Sequence, residues 1–515
     1  MSMALFALSV AWWLLSFQAQ PGELGRIHFP TSGPADAQKH FERGVLLLHS
    51  FEYRDARAQF LAAQRLAPSF AMAYWGEAMT HNEPVWFAQD LDSARSVLKR
   101  LPVTAPTERE RAYVQALEAL YGDGTKEDRD FAYATAMRRL HEKYPDDHEA
   151  AAFYALSLIG TCHRGRDFRT YMKAAAVAEG VLRKNAAHPG ALHYAIHAYD
   201  DPVHAPLGLR AARVYAKVAP AAAHATHMPS HIFIAMGMWD EAARSNEASW
   251  KASQNRQPMD PGGYHALWWL QYAYLQQGRF GDSRRVLEAA EKMAGAQPPL
   301  LLRFHLVQMR ALHSVETGET YKAAIDISGL DLPARAAHHF AAGSDALNRG
   351  RRQDAEQSLA ALRALKGPTA AHDVPHGHAS PGDVQAVAII EHQLGALLLM
   401  TDGKSNDAIE LMKLAAAAED GTPYEFGPPV PSKPAHELLG EILLSLGRPD
   451  VARVQFELAL LRAPKRALSL LGLARSFEQS GNTAAARETY TELKTIWSRA
   501  DPEILNALEE STRRP

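Results

Sequence analysis

AQKHFERGVLLLHSFEYRDARAQFLAAQRLAPSFAMAYWGEAM, from Ala37 to Met79, decides the fold. Gly44 falls in a first helical stretch, Tyr53 in a turn, and Ala56, Phe60 and Ala63 in a second stretch that Pro68 closes. Small residues let the two helices approach closely, and the aromatic at the turn plugs the gap to the next pair. Similar turns recur at GMWDEAA (Gly237 to Ala243), GRFGDSR (Gly278 to Arg284), GRRQDAE (Gly350 to Glu356), GRPDVAR (Gly447 to Arg453) and GNTAAAR (Gly481 to Arg487). No strand pattern stands out. The chain is therefore expected to be an all-α superhelix of about eleven helix pairs.

This pattern resembles the tetratricopeptide repeat, which implies a right-handed α-solenoid whose first helices line a concave, ligand-binding surface. The segments HAYDDPVHAPLGLRAA (from His197), HMPSHIF (from His227) with GMWDEA, and YEFGPPVPSKPAHELLGEILLSLGRP (from Tyr424) are similar to a group of bacterial tetratricopeptide repeat proteins of this length. The resemblance covers nearly the whole mature chain and implies the fold. The chemistry has to be argued from the residues.

Three insertions break the period: GTCHRGRDFRTYM around His163, SQNRQPMDPGG around Pro258, and KGPTAAHDVPHGHASPGD from Lys366 to Asp383. Such breaks often sit on a solenoid's binding face. The stretch DGTPYEFGPPVPSKPAHELLGE is too rich in Pro and Gly for helix before about Pro434, and its Tyr424 and Phe426 need cover, for which the bore is one place. The chain thus divides into a solenoid with a His-rich concave centre (37–365), an insertion loop (366–384) and C-terminal repeats (385–515). Ahead of these, an apolar run from Ala4 to Phe17 and small residues near Ala19 suggest a secretory signal over 1–19, then a lead-in over 20–36. No Lys or Arg precedes the run. A periplasmic or secreted protein is expected, with no later membrane span.

The 515 residues are 47% hydrophobic and 22% charged, with a formal net charge of −3. That balance gives no basic footprint for nucleic acid. The lone Cys162 excludes an internal disulfide.

Of the 24 histidines, seven crowd between His188 and Trp239, in HPGALHYAIHAYDDPVHAPLGLRAARVYAKVAPAAAHATHMPSHIFIAMGMW. His193, His197 and Asp200 are spaced four and three apart, and His224, His227 and His231 three and four apart, so each set forms a stripe on one helix face. His193 to His227 and His197 to His231 are both 34 residues, a repeat period. Aligning Pro189 with Pro220 gives an offset of 31 instead, matching His193 with His224 and Asp200 with His231. In either register the stripes fall on first helices.

Neutral imidazoles on adjacent helices suit a transition metal, Zn or Cu above all. His193, His197, His227 and His231 are the expected ligands. His224, Asp200, His163, Asp201 and His204 could complete one or two shells, with Asp200 or Asp201 alternatively orienting a ligand from outside. The plainer reading makes these surface or capping histidines, with His188 and His204 in loops.

Further candidates are Glu77 with His81, the insertion's His372, His376 and His378 as a lid, and Trp268, Trp269 and Tyr272 as a stacking wall. Asp200, Asp201, Glu437 and Glu441 are the candidate acids or bases, Glu437 and Glu441 lying four apart on a first helix. No HExxH, GxSxG, Walker loop or GxGxxG is present. Two functions follow: a metal-binding solenoid that acts as a hydrolase or oxidoreductase on a small molecule or peptide, or a non-catalytic scaffold for a protein or peptide partner.

Overall fold

The computed structural model describes residues 24–102, 105–254, 261–366 and 381–513. The apolar N-terminal run, Pro258, and the insertion with His372, His376 and His378 lie outside the described residues. Eleven helix pairs can be traced among those described, beginning at Ala35, Ala71, Glu108, His148, Pro189, Ala223, Pro261, Leu332, Pro381, Ala435 and Ala467. The expected all-α solenoid is present. Helices Leu300–Thr317 and Pro502–Arg513 stand outside the pairing. After the first of them Gly318, at φ 73, turns the chain into an extended segment where a second helix would lie.

The first pair explains the packing. Phe60, on helix Tyr53–Leu66, presses its ring between Gly44 and Gly76 on the flanking helices, where an added Cβ would come within 2.6 and 2.2 Å of ring carbons. Only glycine leaves that room.

Two expectations are corrected. Asn82–Glu83 and Ala88–Gln89 form a minimal antiparallel ladder around the turn Pro84–Trp86, because Pro84 lacks the N–H to extend a helix there. One helix, Gly382–Thr401, is long and apolar enough to cross a membrane by length and composition. It packs here as a repeat helix against Leu332–Asn348 and Ser405–Asp420, and its apolar residues feed those interfaces.

The superhelix closes on itself. Arg466 is wholly buried and bonds Glu437 beside it and Glu316 far back in the chain, while Ala467 N–H donates to Gln276. Trp239 Nε1–H donates to the Lys465 carbonyl at 2.9 Å and Trp497 Nε1–H to that of Gln276 at 3.1 Å. At this seam Gly237 has φ +65, and a Cβ there would sit 2.4 Å from the Pro464 carbonyl oxygen. The lead-in is pinned too: Arg26 N–H donates to Ala187, and Phe29 fills a core with Phe41, Trp75 and Tyr113.

Gly447 has the same left-handed backbone (φ +68) with nothing near its missing Cβ. Gly447→Ala should therefore lower stability by about 1 kcal/mol, the left-handed penalty alone. Gly237→Ala should cost clearly more, because it also breaks the seam. Equal thermal shifts for the two variants would show that the seam contributes nothing.

Candidate metal centre

The histidines of both stripes ride on first helices, as expected, while Asp200, expected on the same helix face, stands just past the end of helix Pro189–Tyr199 with non-helical backbone. Helix Pro189–Tyr199 starts at His188, which is no loop residue: it is fully buried and its Nδ1 accepts the Ala191 N–H at 3.1 Å. Pro189 takes the first helical position, where a missing N–H does no harm. The second stripe runs over Ala223–His227 and Pro229–Ala235, interrupted at Met228 because Pro229 cannot donate to the preceding turn.

Two triads result. The ligating atoms of His193, His197 and His224 lie within 4.8 Å of one another, and so do those of His227, His231 and His265. The outer partners dictate the tautomers. His193 Nδ1 lies 2.7 Å from the His49 carbonyl oxygen, which can only accept, so this nitrogen carries the proton. His231 Nδ1–H donates to Asp200 at 2.8 Å. His227 Nδ1–H donates to Asn246 Oδ1 at 2.6 Å, the amide being oriented by its own N–H bond to Ala242.

A neutral imidazole has one N–H, and in these rings it is spent outward. Nε2 of His231 therefore faces Nε2 of His227 at 3.2 Å, lone pair against lone pair. His193 Nε2 likewise points its lone pair at His224 Nε2, 3.2 Å away. His197 Nδ1–H faces Asp200 at 3.3 Å, and its buried Nε2 has no hydrogen-bond partner among the described residues. An ion with bonds of about 2.0–2.1 Å sets tetrahedral ligand nitrogens about 3.3–3.4 Å apart, so both facing pairs have the spacing of a tetrahedron's edge.

Asp200 is the hub behind the rings. Its carboxylate takes Arg166 and the N–H groups of both His197 and His231. Burial would raise its pKa, but the Arg166 guanidinium and these bonds hold it far below the usual carboxylate range. Asp201 accepts from Arg166, from His204 and from two backbone N–H groups. Both aspartates orient other groups, and their oxygens are spoken for.

Other candidates fall elsewhere. His163 pairs with Asp130 at 2.8 Å against Phe87. Glu437 is bound to Arg466, Lys433 and Ser469, and Glu441 to Lys433. Glu77 holds Gln64 and Arg100, and His81 lies beside Arg57 and Asp90. A third group, His49, Glu149 and His188, is fully buried and already satisfied: the carboxylate accepts from both rings, and Tyr194 O–H fills His49 Nδ1. It braces the helix ends, and every ring nitrogen in it already has a hydrogen-bond partner.

The Pro- and Gly-rich arm brings Phe426 into the bore, while Tyr424 finds its cover against Phe168 and Arg462. Phe426 lies 5.1 Å from the His231 ring and 6.0 Å from that of His197, while Trp269 closes on His231 at 4.3 Å. Gly427 makes room, since a Cβ there would fall 2.4 Å from Trp269.

Two further residues at the centre, His265 and Phe51, are not among those expected from the sequence. His265 is 34 residues beyond His231, the offset already seen from His197 to His231, and continuing that period would have found it. Phe51 lies 4.3 Å from His193 and 5.4 Å from His224. It sits at φ 55, at the turn position where Gly237, Gly278, Gly350, Gly403, Gly447 and Gly481 adopt the same conformation. A bulky residue there costs about 1–2 kcal/mol, strain of the kind stored at functional sites.

Burial drives His193, His224, His227 and His265 well below their ordinary pKa of 6.5 and His231 to about 4. The unfolded chain takes up protons that these rings refuse, so stability is intact above 6.5 and is lost as pH falls toward 4. His231 alone accounts for on the order of 3 kcal/mol across that window. Thermal melts of metal-stripped protein from pH 8 down to 4 should fall steeply below 6.5, and a flat profile would contradict these burials.

A tetratricopeptide repeat family model matches residues 437–502. Comparison with the curated proteins finds no match. Among solved structures, the chain is similar to one in the APC/C hetero-tetramer Cut9-Hcn1, at 11% identity over 94% of this chain and 78% of that one, with a TM-score of 0.36. Yeast Tom70 gives 12% over 93% and 88%, TM-score 0.31, and the human IFIT1 dimer with m7Gppp-AAAA gives 13% over 91% of each, TM-score 0.37. Residues 437–502 thus match the tetratricopeptide repeat in sequence, and the eleven helix pairs among the described residues make an α-solenoid.

Proposed function

We propose that this solenoid is a metal-dependent enzyme that holds a transition metal, Zn or Cu, in its bore and acts there on a small molecule. The observation that carries the reading is the His227–His231 Nε2 contact at 3.2 Å between two rings whose protons are committed elsewhere, with His193 Nε2 facing His224 Nε2 at the same distance. Opposed lone pairs repel unless a cation lies between them, and burial removes the water that would otherwise separate them. Three protein ligands per ion also leave a coordination position open, the mark of a catalytic rather than a structural site. His193, His197, His224, His227, His231 and His265 would be the ligands, with His49, Asp200 and Asn246 fixing the tautomers of His193, His197, His231 and His227 from behind. The apolar run at Ala4 to Phe17 supports export.

The second reading, a scaffold for a peptide, is supported by the fold. Against it, the chain's own arm with Phe426 already lies over the first-helix histidines, where a peptide would dock.

Full-length protein purified without chelator or tag should contain stoichiometric metal by mass spectrometry. The His227→Ala/His231→Ala variant should lose metal while its circular dichroism stays helical. No metal in the parent, even after adding Zn or Cu, would overturn the reading and direct the search to peptide partners. Asn246→Leu should weaken metal binding about 10–100-fold by leaving His227 without its outer acceptor. An unchanged affinity would remove Asn246 from the site.

A further inference from the structure

We infer that the centre is a dinuclear copper site, with His193, His197 and His224 holding one ion and His227, His231 and His265 the other. The inference rests on the metal reading above and deepens it.

One ion cannot account for the arrangement. The facing Nε2 atoms form two separate pairs, His193 with His224 and His227 with His231, and each belongs to its own triad. The triads nevertheless abut. The His197 and His231 rings lie 5.1 Å apart at 86°, and those of His224 and His227 are 5.9 Å apart. One atom joins them from behind: Asp200 Oδ2 takes Nδ1–H of His197 at 3.3 Å and of His231 at 2.8 Å. A ligand of each ion thus hangs on the same carboxylate oxygen, so the two positions are fixed as a unit.

Charge and donor type select the metal. Both triads are wholly imidazole, with no thiolate or carboxylate to neutralise an ion, and imidazole suits copper. Behind the rings the buried, ion-paired Asp200, Asp201 and Arg166 together carry one net negative charge, and the buried Glu52 carboxylate accepts the His224 backbone N–H. The cost of burying an ion rises as the square of its charge, so two monovalent ions are far better tolerated here than two divalent ones. Copper is the imidazole-binding metal with an accessible monovalent state, and the pair would rest as Cu(I).

The test is reconstitution of the full chain with Cu(I) under anaerobic conditions, followed by metal analysis and, after oxidation, electron paramagnetic resonance. Two copper ions per chain are expected, with a resonance well below one spin per copper because adjacent Cu(II) ions couple. His265→Ala, which alters a half-buried ring on a continuous helix, should leave one tightly held copper with a full uncoupled signal. One copper in the parent would overturn the pair and leave the metal reading standing, and so would two coppers with full, independent spins. Zinc retained in preference to copper would overturn the choice of metal. No metal of either kind would overturn both proposals.

Discussion

A single buried guanidinium fastens this solenoid to itself. Arg466 takes its charge out of water between Glu437 and Glu316, with Tyr272 alongside. Such a cluster gains little net stability, because desolvating three charged groups offsets most of their attraction. It is demanding about geometry, however: misplacing the C-terminal repeats would leave a charge buried and unpaired. With the repeats seated, Trp239 reaches Lys465, Trp497 reaches Gln276, and the arm that precedes helix Ala435–Ser445 runs into the bore. The covering of the histidines by Phe426 depends on that closure.

Inside the bore the governing quantity is the proton count. Four of the six rings give their N–H to acceptors of three kinds: a backbone carbonyl for His193, an amide for His227 and a shared carboxylate for His197 and His231. Burial keeps protons off the opposite face. The contrast with His49, Glu149 and His188 is instructive, since the same residue types, equally buried, there close a complete hydrogen-bond circuit. Density of histidine in a sequence does not distinguish the two clusters; the partner of the second nitrogen does.

Much of this was legible from spacing. Gly44 and Phe60 announced the helix pair, and stripes at three and four residues announced a common face. Of the two registers, the 31-residue offset describes the closest contacts, His193 with His224 and Asp200 with His231, while the 34-residue one relates the rings of His197 and His231. Both hold because stacked helices place a residue between two neighbours one turn apart. What escaped were contacts that no local pattern encodes. Asp200 was open as ligand or orienter until Arg166 was seen to occupy it, and Glu437, read as an acid or base, is bound to an arginine 29 residues on. Phe51 was hidden because an aromatic in a turn looks like ordinary gap filling.

The closed seam also changes what kind of object a repeat array is. An open solenoid is modular: pairs can be added or lost, and the whole stretches like a spring, since each unit meets only its neighbours. Here residues 237–281 and 464–501 meet across more than two hundred positions of sequence. Removing one pair between them would swing the seam out of register and withdraw the arm from the bore. The number of repeats has become part of the site, and the array has given up elasticity for the fixed interior of a globular protein.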